Sequence, residues 1–301
     1  MGPTASGKTN LAIALAQELP LEIISVDSAM IYKGMDIGTA KPTADELAKA
    51  PHHLLDILDP SEHYSAGQFV TDAKKLITDI HARGKIPFFV GGTMLYFKAL
   101  SQGIATLPER DSKIRAKIEA EALEHGWPHL HTKLAQIDPA AAAKIKPNDK
   151  QRIERALEVY YLTNKTISSL QTETHSEDLE LLVLAINPLE RKILHDRIKK
   201  RAEIMLAQGL IHEVERLKTR GDLSLSMASM RAVGYRQVWE CLEDNIPQHD
   251  LEERIIIATR QYAKRQLTWL KSFPRVLWFD SEASELYNSI RDVINNFVQQ
   301  N

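Results

Sequence analysis

A chain of 301 residues with 44% hydrophobic content can bury a substantial core, read as one main domain carrying an insertion. A net charge of −2 leaves nucleic-acid binding to local patches, and the single cysteine, Cys241, excludes a disulfide framework or a thiolate zinc cluster. No apolar run approaches the roughly 20 residues of a membrane span, and the start lacks the basic region and apolar core of a signal peptide. The expectation is a cytoplasmic protein with no membrane contact.

The chain opens MGPTASGKTNLAIALAQ. Gly2, Pro3, Thr4, Ala5, Ser6, Gly7, Lys8 and Thr9 fit the phosphate-binding loop pattern, in which glycines let backbone N–H groups wrap an anion. A helix expected from Lys8 adds the positive end of its dipole. Lys8 supplies a point charge, and the Thr9 hydroxyl is the candidate ligand for a phosphate-bridging Mg2+. Only Met1 stands where the strand leading into such a loop belongs. The first strand is therefore expected to be missing from this sequence, with a native start roughly 8 to 15 residues upstream.

Apolar runs at Ile23 to Val26 and Ile86 to Val90 read as buried parallel strands, and Leu54 to Leu58 as a weaker third. A helix is expected between Ser65, as N-cap, and Gly84, as stop. Strand and helix alternate, which predicts an α/β doubly wound parallel sheet of the P-loop type. From residue 109 to 178 only helical segments are legible: Ser112 to His125, Trp127 to Gln136, Pro139 to Lys144 and Lys150 to Leu162. This reads as a helical insertion domain (109–178) within a core formed by 1–108 and 179–301. A strand returns at Leu181 to Ile186, Asn187-Pro188 reads as the start of the next helix, and a late strand is expected at Val276 to Phe279.

Ligands bind beyond the carboxyl ends of such strands. Asp27 follows the first run and suits a general base or a magnesium-water partner. Gly91-Gly92-Thr93 follows the second, where nucleotide hydrolases often carry an acid; the backbone there can approach a ligand, but the acid is absent. Arg197, Lys199, Lys200 and Arg201 lie on one later helix, where an arginine can reach back to the phosphate site. Arg254 to Arg275 holds six basic residues and no acid. Arg260, Lys264 and Lys271 fall within about 40° of helix surface, a candidate track for a phosphate backbone. The histidines of HGWPHLH lack a cysteine or a clear carboxylate partner and make no convincing metal site. No DDxxD-type acidic pair occurs, so phosphate binding rests on the loop.

At SVDSAMIYKGMDIGTAKP (25–42) and GGTMLYFKAL (91–100) the chain closely resembles the bacterial tRNA isopentenyltransferases, or tRNA dimethylallyltransferases. NDKQRIERALEV (148–159), MRAVGYRQ (230–237) and TRQYAKRQLTWL (259–270) extend the match over essentially the whole chain. The resemblance implies transfer of a dimethylallyl group from dimethylallyl diphosphate to N6 of adenosine 37 beside the tRNA anticodon. It implies that residues 2–9 grip the diphosphate, and that Lys8, Arg201 and a Thr9-bound Mg2+ stabilise its charge. Asp27 would accept the proton and Thr93 would orient it. The implied tRNA contacts are Asp27, Ser28, Ala29, Met30 and Thr93; Arg115 on the insertion clasping the anticodon stem; and Gln151, Arg152, Ile153, Glu154 and Arg155. They continue with Arg231, Ala232, Val233, Gly234, Tyr235 and Arg236, then Lys264, Arg265, Gln266, Leu267, Thr268, Trp269, Leu270 and Lys271. Nothing demands more than a monomer. A P-loop kinase using ATP, a prenyltransferase acting on free adenine nucleotides, and an RNA-binding module with a relic loop are the competing readings.

Overall fold

The computed structural model describes residues 1–105, 107–171 and 179–300. Two compact units emerge, 1–98 with 180–301, and 99–179. No helix among the described residues is long and apolar enough to cross a membrane.

In the first unit, helices alternate with parallel strands, an α/β arrangement. Strands β1 (Leu21–Val26), β2 (His52–His53) and β3 (Ile86–Gly91) form one sheet in the order β2-β1-β3. Central β1 is buried along its whole length, Glu22 and Ser25 included, which is why its apolar residues do not alternate with exposed polar ones. Helix Lys8–Glu18 puts Ala12 and Ile13 against Ile23. Helix Ala66–Ala82 precedes β3 and begins at a capping box in which Ser65 accepts from the Gln68 N–H; such a cap contributes about 1 kcal/mol. Gly84, at φ +69°, turns the chain out of that helix. Strands β4 (Leu184–Asn187) and β5 (Leu277–Asp280) pair in parallel as a separate two-stranded sheet. Met1 bridges to it in parallel: its amino group donates to the Leu184 carbonyl at 2.6 Å, and the Ile186 N–H donates to the Met1 carbonyl at 3.1 Å.

Two expectations are corrected. Residues 54–58 are not a strand: Leu54 and Asp56 adopt positive φ, and the pairing with β1 is made by His52 and His53. The run instead hangs from residues 30–31, through Asp56 N–H to the Met30 carbonyl and Ile57 N–H to the Ile31 carbonyl. Asn187-Pro188 does not start a helix either. Asn187 ends β4, its side-chain amide folds onto the Pro188 carbonyl, and the helix runs from Arg191 to Ala207 with Glu190 as N-cap.

Among its described residues the second unit contains helices joined by loops and no strand. Ser112–His125, Trp127–Ile137, Pro139–Ala142 and Lys150–Thr163 enclose Ile118, Leu130, Leu134, Ile153 and Leu157. The C-terminal end of the expected insertion, 172–178, lies outside the described residues. Asp111 caps the first of these helices through the Lys113 and Ile114 N–H groups.

Candidate active site

Met1-to-Lys8 forms a tight loop over the N-terminus of helix Lys8–Glu18. Ala5 and Gly7 take positive φ, and the Ser6 N–H closes on the Pro3 carbonyl at 3.3 Å. The helix has neither a side-chain cap nor an acid in its first turn, so its N–H groups and dipole remain available to an anion. Gly2 is required sterically, since a Cβ there would stand 2.5 Å from the Ile186 carbonyl. The buried Ser6 hydroxyl has no hydrogen-bond partner among the described residues.

The carboxyl ends of β1 and β3 are fastened together. Gly92 and Thr93 both donate N–H to the Val26 carbonyl, at 3.2 and 3.1 Å, and a Cβ on Gly91 would collide with Val26 backbone. This explains why two glycines replace the acid. Beyond Val26, Asp27 Oδ1 accepts the Ala29 and Met30 N–H groups at 2.9 and 3.3 Å. Asp27 thus does two things at once: one oxygen holds the turn, and the residue lines the cleft. Thr93 touches the neighbour, not Asp27 itself; its Oγ1 accepts the Ser28 N–H at 3.0 Å.

A cleft of about 440 Å³ opens here. Among the residues singled out in the sequence, it brings together Thr4, Lys8, Thr9, Asp27 to Met30, Arg201, Arg231 to Gly234, Arg265 and Gln266. Lys8 and Arg201 are both half-buried cations that line the cleft. Burial, and then the neighbouring Arg201 charge, bring the Lys8 ammonium down to about 7 against the opposing pull of Asp27. Burial likewise lowers Arg201, and Asp27 offsets it. Lys8 Nζ donates to the Pro3 carbonyl at 2.5 Å, and Arg201 to the Thr39 carbonyl at 3.2 Å. Two desolvated cations facing one carboxylate suit a ligand with more than one negative charge.

Gln266 is 5% exposed. Its Oε1 accepts the Thr4 N–H at 2.8 Å, and its Nε2 donates to the Gly92 carbonyl at 2.9 Å. One amide thereby ties the loop to the Gly91-Gly92 turn. Tyr235 and Leu270 are also buried, so these three side chains face the interior, while Arg236, Arg265, Trp269 and Lys271 beside them are exposed. On helix Leu251–Leu270 the exposed residues include Lys264, Arg265, Thr268 and Trp269, with Lys271 just beyond and Leu267 half-buried. Lys98 Nζ lies 6.0 Å from the Trp269 ring centre and Arg265 5.9 Å from that of Tyr262. Arg260 leaves the expected stripe: it is half-buried beside His195 and Asp196, and its Nε is buried without a partner among the described residues. Arg236 is paired with Glu240 at 2.7 Å.

In the helical unit, Gln151 and Arg152 are exposed, whereas Ile153 and Glu154 are buried. Arg115 bonds Glu158 Oε1 at 2.7 Å and Glu154 at 2.9 Å, and Arg155 donates to Glu158 and the Pro108 carbonyl. Burial pushes Glu158 up, but the Arg115 and Arg155 bonds outweigh it and hold the carboxyl below its usual range. Arg115 is thus committed to an internal ion network.

Tyr262 and Thr259 line the cleft without having been singled out in the sequence. Gln266 and Glu213 left one legible signal. Each is a polar residue on the buried arc of its helix, Gln266 between Ala263 and Leu270, and Glu213 between Leu210 and Leu217.

Comparison with known proteins converges on one family. The IPP transferase family model matches residues 30–273. The chain is 53% identical over 298 residues to a tRNA dimethylallyltransferase of Cupriavidus taiwanensis, covering 97% of this chain and 92% of that protein. It is 54% identical over 279 residues to one from Paraburkholderia phytofirmans, covering 91% and 89%. Among solved structures, the full-length tRNA isopentenylpyrophosphate transferase of Bacillus halodurans matches with a TM-score of 0.73 at 39% identity, covering 99% of this chain and 95% of that one. A eukaryotic dimethylallyltransferase acting on tRNA matches with a TM-score of 0.83 at 30% identity, covering 99% and 78%. The chain belongs to the IPP transferase family, the tRNA dimethylallyltransferases, and is a transferase.

Proposed function

We propose that this enzyme transfers the dimethylallyl group of dimethylallyl diphosphate to N6 of adenosine 37 in the anticodon loop of tRNA, releasing diphosphate. The observation that carries the reading is the pairing of the half-buried cations Lys8 and Arg201 with an uncapped helix N-terminus in a cleft that also holds Asp27. Residues 2–9 hold the diphosphate. N6 attacks C1 of the dimethylallyl group, the C1–O bond breaks with its electron pair leaving on the diphosphate, and N6 loses a proton to Asp27. Lys8 and Arg201 act on charge that grows on the leaving group, which is where fixed cations accelerate a reaction. Thr93 positions the Ser28 turn, and through it the base. A stacked adenine must leave its stack to reach the cleft, at a cost of a few kcal/mol.

Magnesium fits as a substrate-held ion. The Thr9 hydroxyl would help hold the ion, which would supply further charge neutralisation. We read the two sheets as parts of one doubly wound P-loop sheet; the parallel bridge between Met1 and β4 supports this. The single cysteine supports a reducing cytoplasm.

The exposed Lys264, Arg265, Trp269 and Lys271 supply cations and a stacking surface for an RNA backbone and loop. Gln151 and Arg152 offer polar groups on the helical unit, while buried Ile153 and Glu154 support them from beneath. Replacing Lys264, Arg265 and Lys271 by alanine should weaken tRNA binding and flatten its salt dependence, by about 0.7 to 0.9 of slope for each phosphate no longer neutralised. An unchanged slope, measured by filter binding from low to moderate salt, would return these residues to an ordinary solvated face.

The function itself is tested by offering labelled dimethylallyl diphosphate with an anticodon stem-loop carrying consecutive adenines, alongside AMP and ATP. Label should enter the stem-loop alone. Label on AMP, or consumption of ATP with phosphate transfer, would replace this reading with a nucleotide prenyltransferase or a kinase.

A further inference from the structure

Arg201 owes its place to a loop, and the loop is held by an acid outside the cleft. Glu213, on helix Leu210–Lys218, is 4% exposed and does not line the cavity. Its Oε2 accepts the N–H groups of Asp36 and Ile37 at 3.0 and 2.9 Å. Its Oε1 accepts the Gly38 N–H at 3.1 Å and the Tyr235 hydroxyl at 2.6 Å. Three successive amides around one carboxylate form an anion nest, and a fourth donor fills the remaining acceptor site. Residue 38 is glycine for a steric reason, because a Cβ there would strike the Tyr235 ring. The next residue, Thr39, is locked by its own hydroxyl to the Met35 carbonyl at 2.7 Å and presents its carbonyl to Arg201. Lys41 closes the loop from the other side, bonding the Tyr32 carbonyl, Asp36 and Asp56.

We propose that Glu213 is a positioning residue for the transfer reaction: by fixing residues 36–38 it sets the Thr39 carbonyl, and so the guanidinium of Arg201, opposite Lys8. This rests on the reading of the cleft as a diphosphate site. The device has a clear logic. Among the described residues, the Arg201 guanidinium is tethered through a main-chain carbonyl. An arginine held in that way can swing as far as the carbonyl moves, and the four bonds to Glu213 remove that freedom. Its other N–H groups can then turn to the ligand.

The test is a double-mutant cycle read through inorganic diphosphate affinity, by calorimetry, and through kcat. Glu213→Gln keeps the shape but turns one oxygen into a donor facing other donors. It should weaken diphosphate binding and lower kcat by about 10- to 100-fold, the range of outer-shell partners that orient a working group. The KM for the stem-loop should stay within about 3-fold. In an Arg201→Ala background the same substitution should add less than about 3-fold, because the group it positions is gone. Equal losses in both backgrounds, or a loss that only follows the folded fraction, would reduce Glu213 to a structural role. Should Glu213→Gln not fold, Tyr235→Phe removes one donor and leaves the nest. It should shift diphosphate affinity by about 2- to 5-fold in the wild type and not in Arg201→Ala; equal shifts would overturn the proposal. Wild-type protein that binds no diphosphate would instead remove the cleft reading itself.

Discussion

Asp27→Asn is expected to bind both substrates and lose a factor of about 10² to 10⁴ in single-turnover rate, the contribution of a positioned general base. The amide can still accept the Ala29 and Met30 N–H bonds through its oxygen, so the turn between β1 and residue 30 survives. What vanishes is the ability to take the proton from N6 as the new C–N bond forms. The loss should appear in kcat with little change in the KM of either substrate, since the proton moves only on the way to the transition state. Burial does not confuse the comparison, because Asp27 is half-exposed at the mouth of the cleft. A single-turnover rate within a few-fold of wild type would remove Asp27 from the chemistry and leave it as a turn cap.

Lys8→Met is expected to weaken diphosphate binding by about 10- to 100-fold, the value of one charge-assisted bond. It should slow transfer further, by about 10²- to 10³-fold, since the same charge meets the growing negative charge of the leaving group. Affinity for tRNA should hold; its collapse would show that the loop grips RNA phosphate instead. The pH dependence gives an independent check. With the Lys8 ammonium brought down to about 7 by burial and Arg201, the side chain is charged below that pH and mostly neutral at pH 8. An incoming diphosphate favours the charged form, so binding at pH 8 must draw a proton from solvent. Calorimetry in buffers of different ionisation enthalpy should find this uptake in the wild type and find it reduced in Lys8→Met. The sign for stability is the reverse of a surface lysine's. Between about pH 7 and 10.5 the unfolded chain holds a Lys8 proton that the folded, ligand-free protein has lost. Lys8 therefore makes stability rise with pH across that window, and Lys8→Met should flatten that rise.

Much of this protein was legible in its sequence because the signals are local. Apolar-rich runs marked β1 and β3; β1 is buried along its length and so shows no polar alternation, while Ile86 to Val90 of β3 are half-buried. Ser65 was readable as a cap because the capping box lies within four residues. The motifs at 25–42 and 91–100 also pointed to the family that the comparisons show. The 54–58 run misled because apolar content records burial, not backbone geometry. Ile57 and Leu58 are fastened to Ile31 while Leu54 and Asp56 turn through positive φ, and only the fold supplies those partners. The stripe of Arg260, Lys264 and Lys271 is correct as helical angle, but the docking of helix Arg191–Ala207 decides which of its members meets solvent. Gln266 and Glu213 show the same limit most clearly. Gln266 joins Thr4 to Gly92, and Glu213 joins residues 36–38 to Tyr235. A polar side chain on an apolar helical arc announces that a buried partner exists. Which backbone amides it finds depends on segments up to 262 residues away in the chain, and that information exists only once the elements have packed.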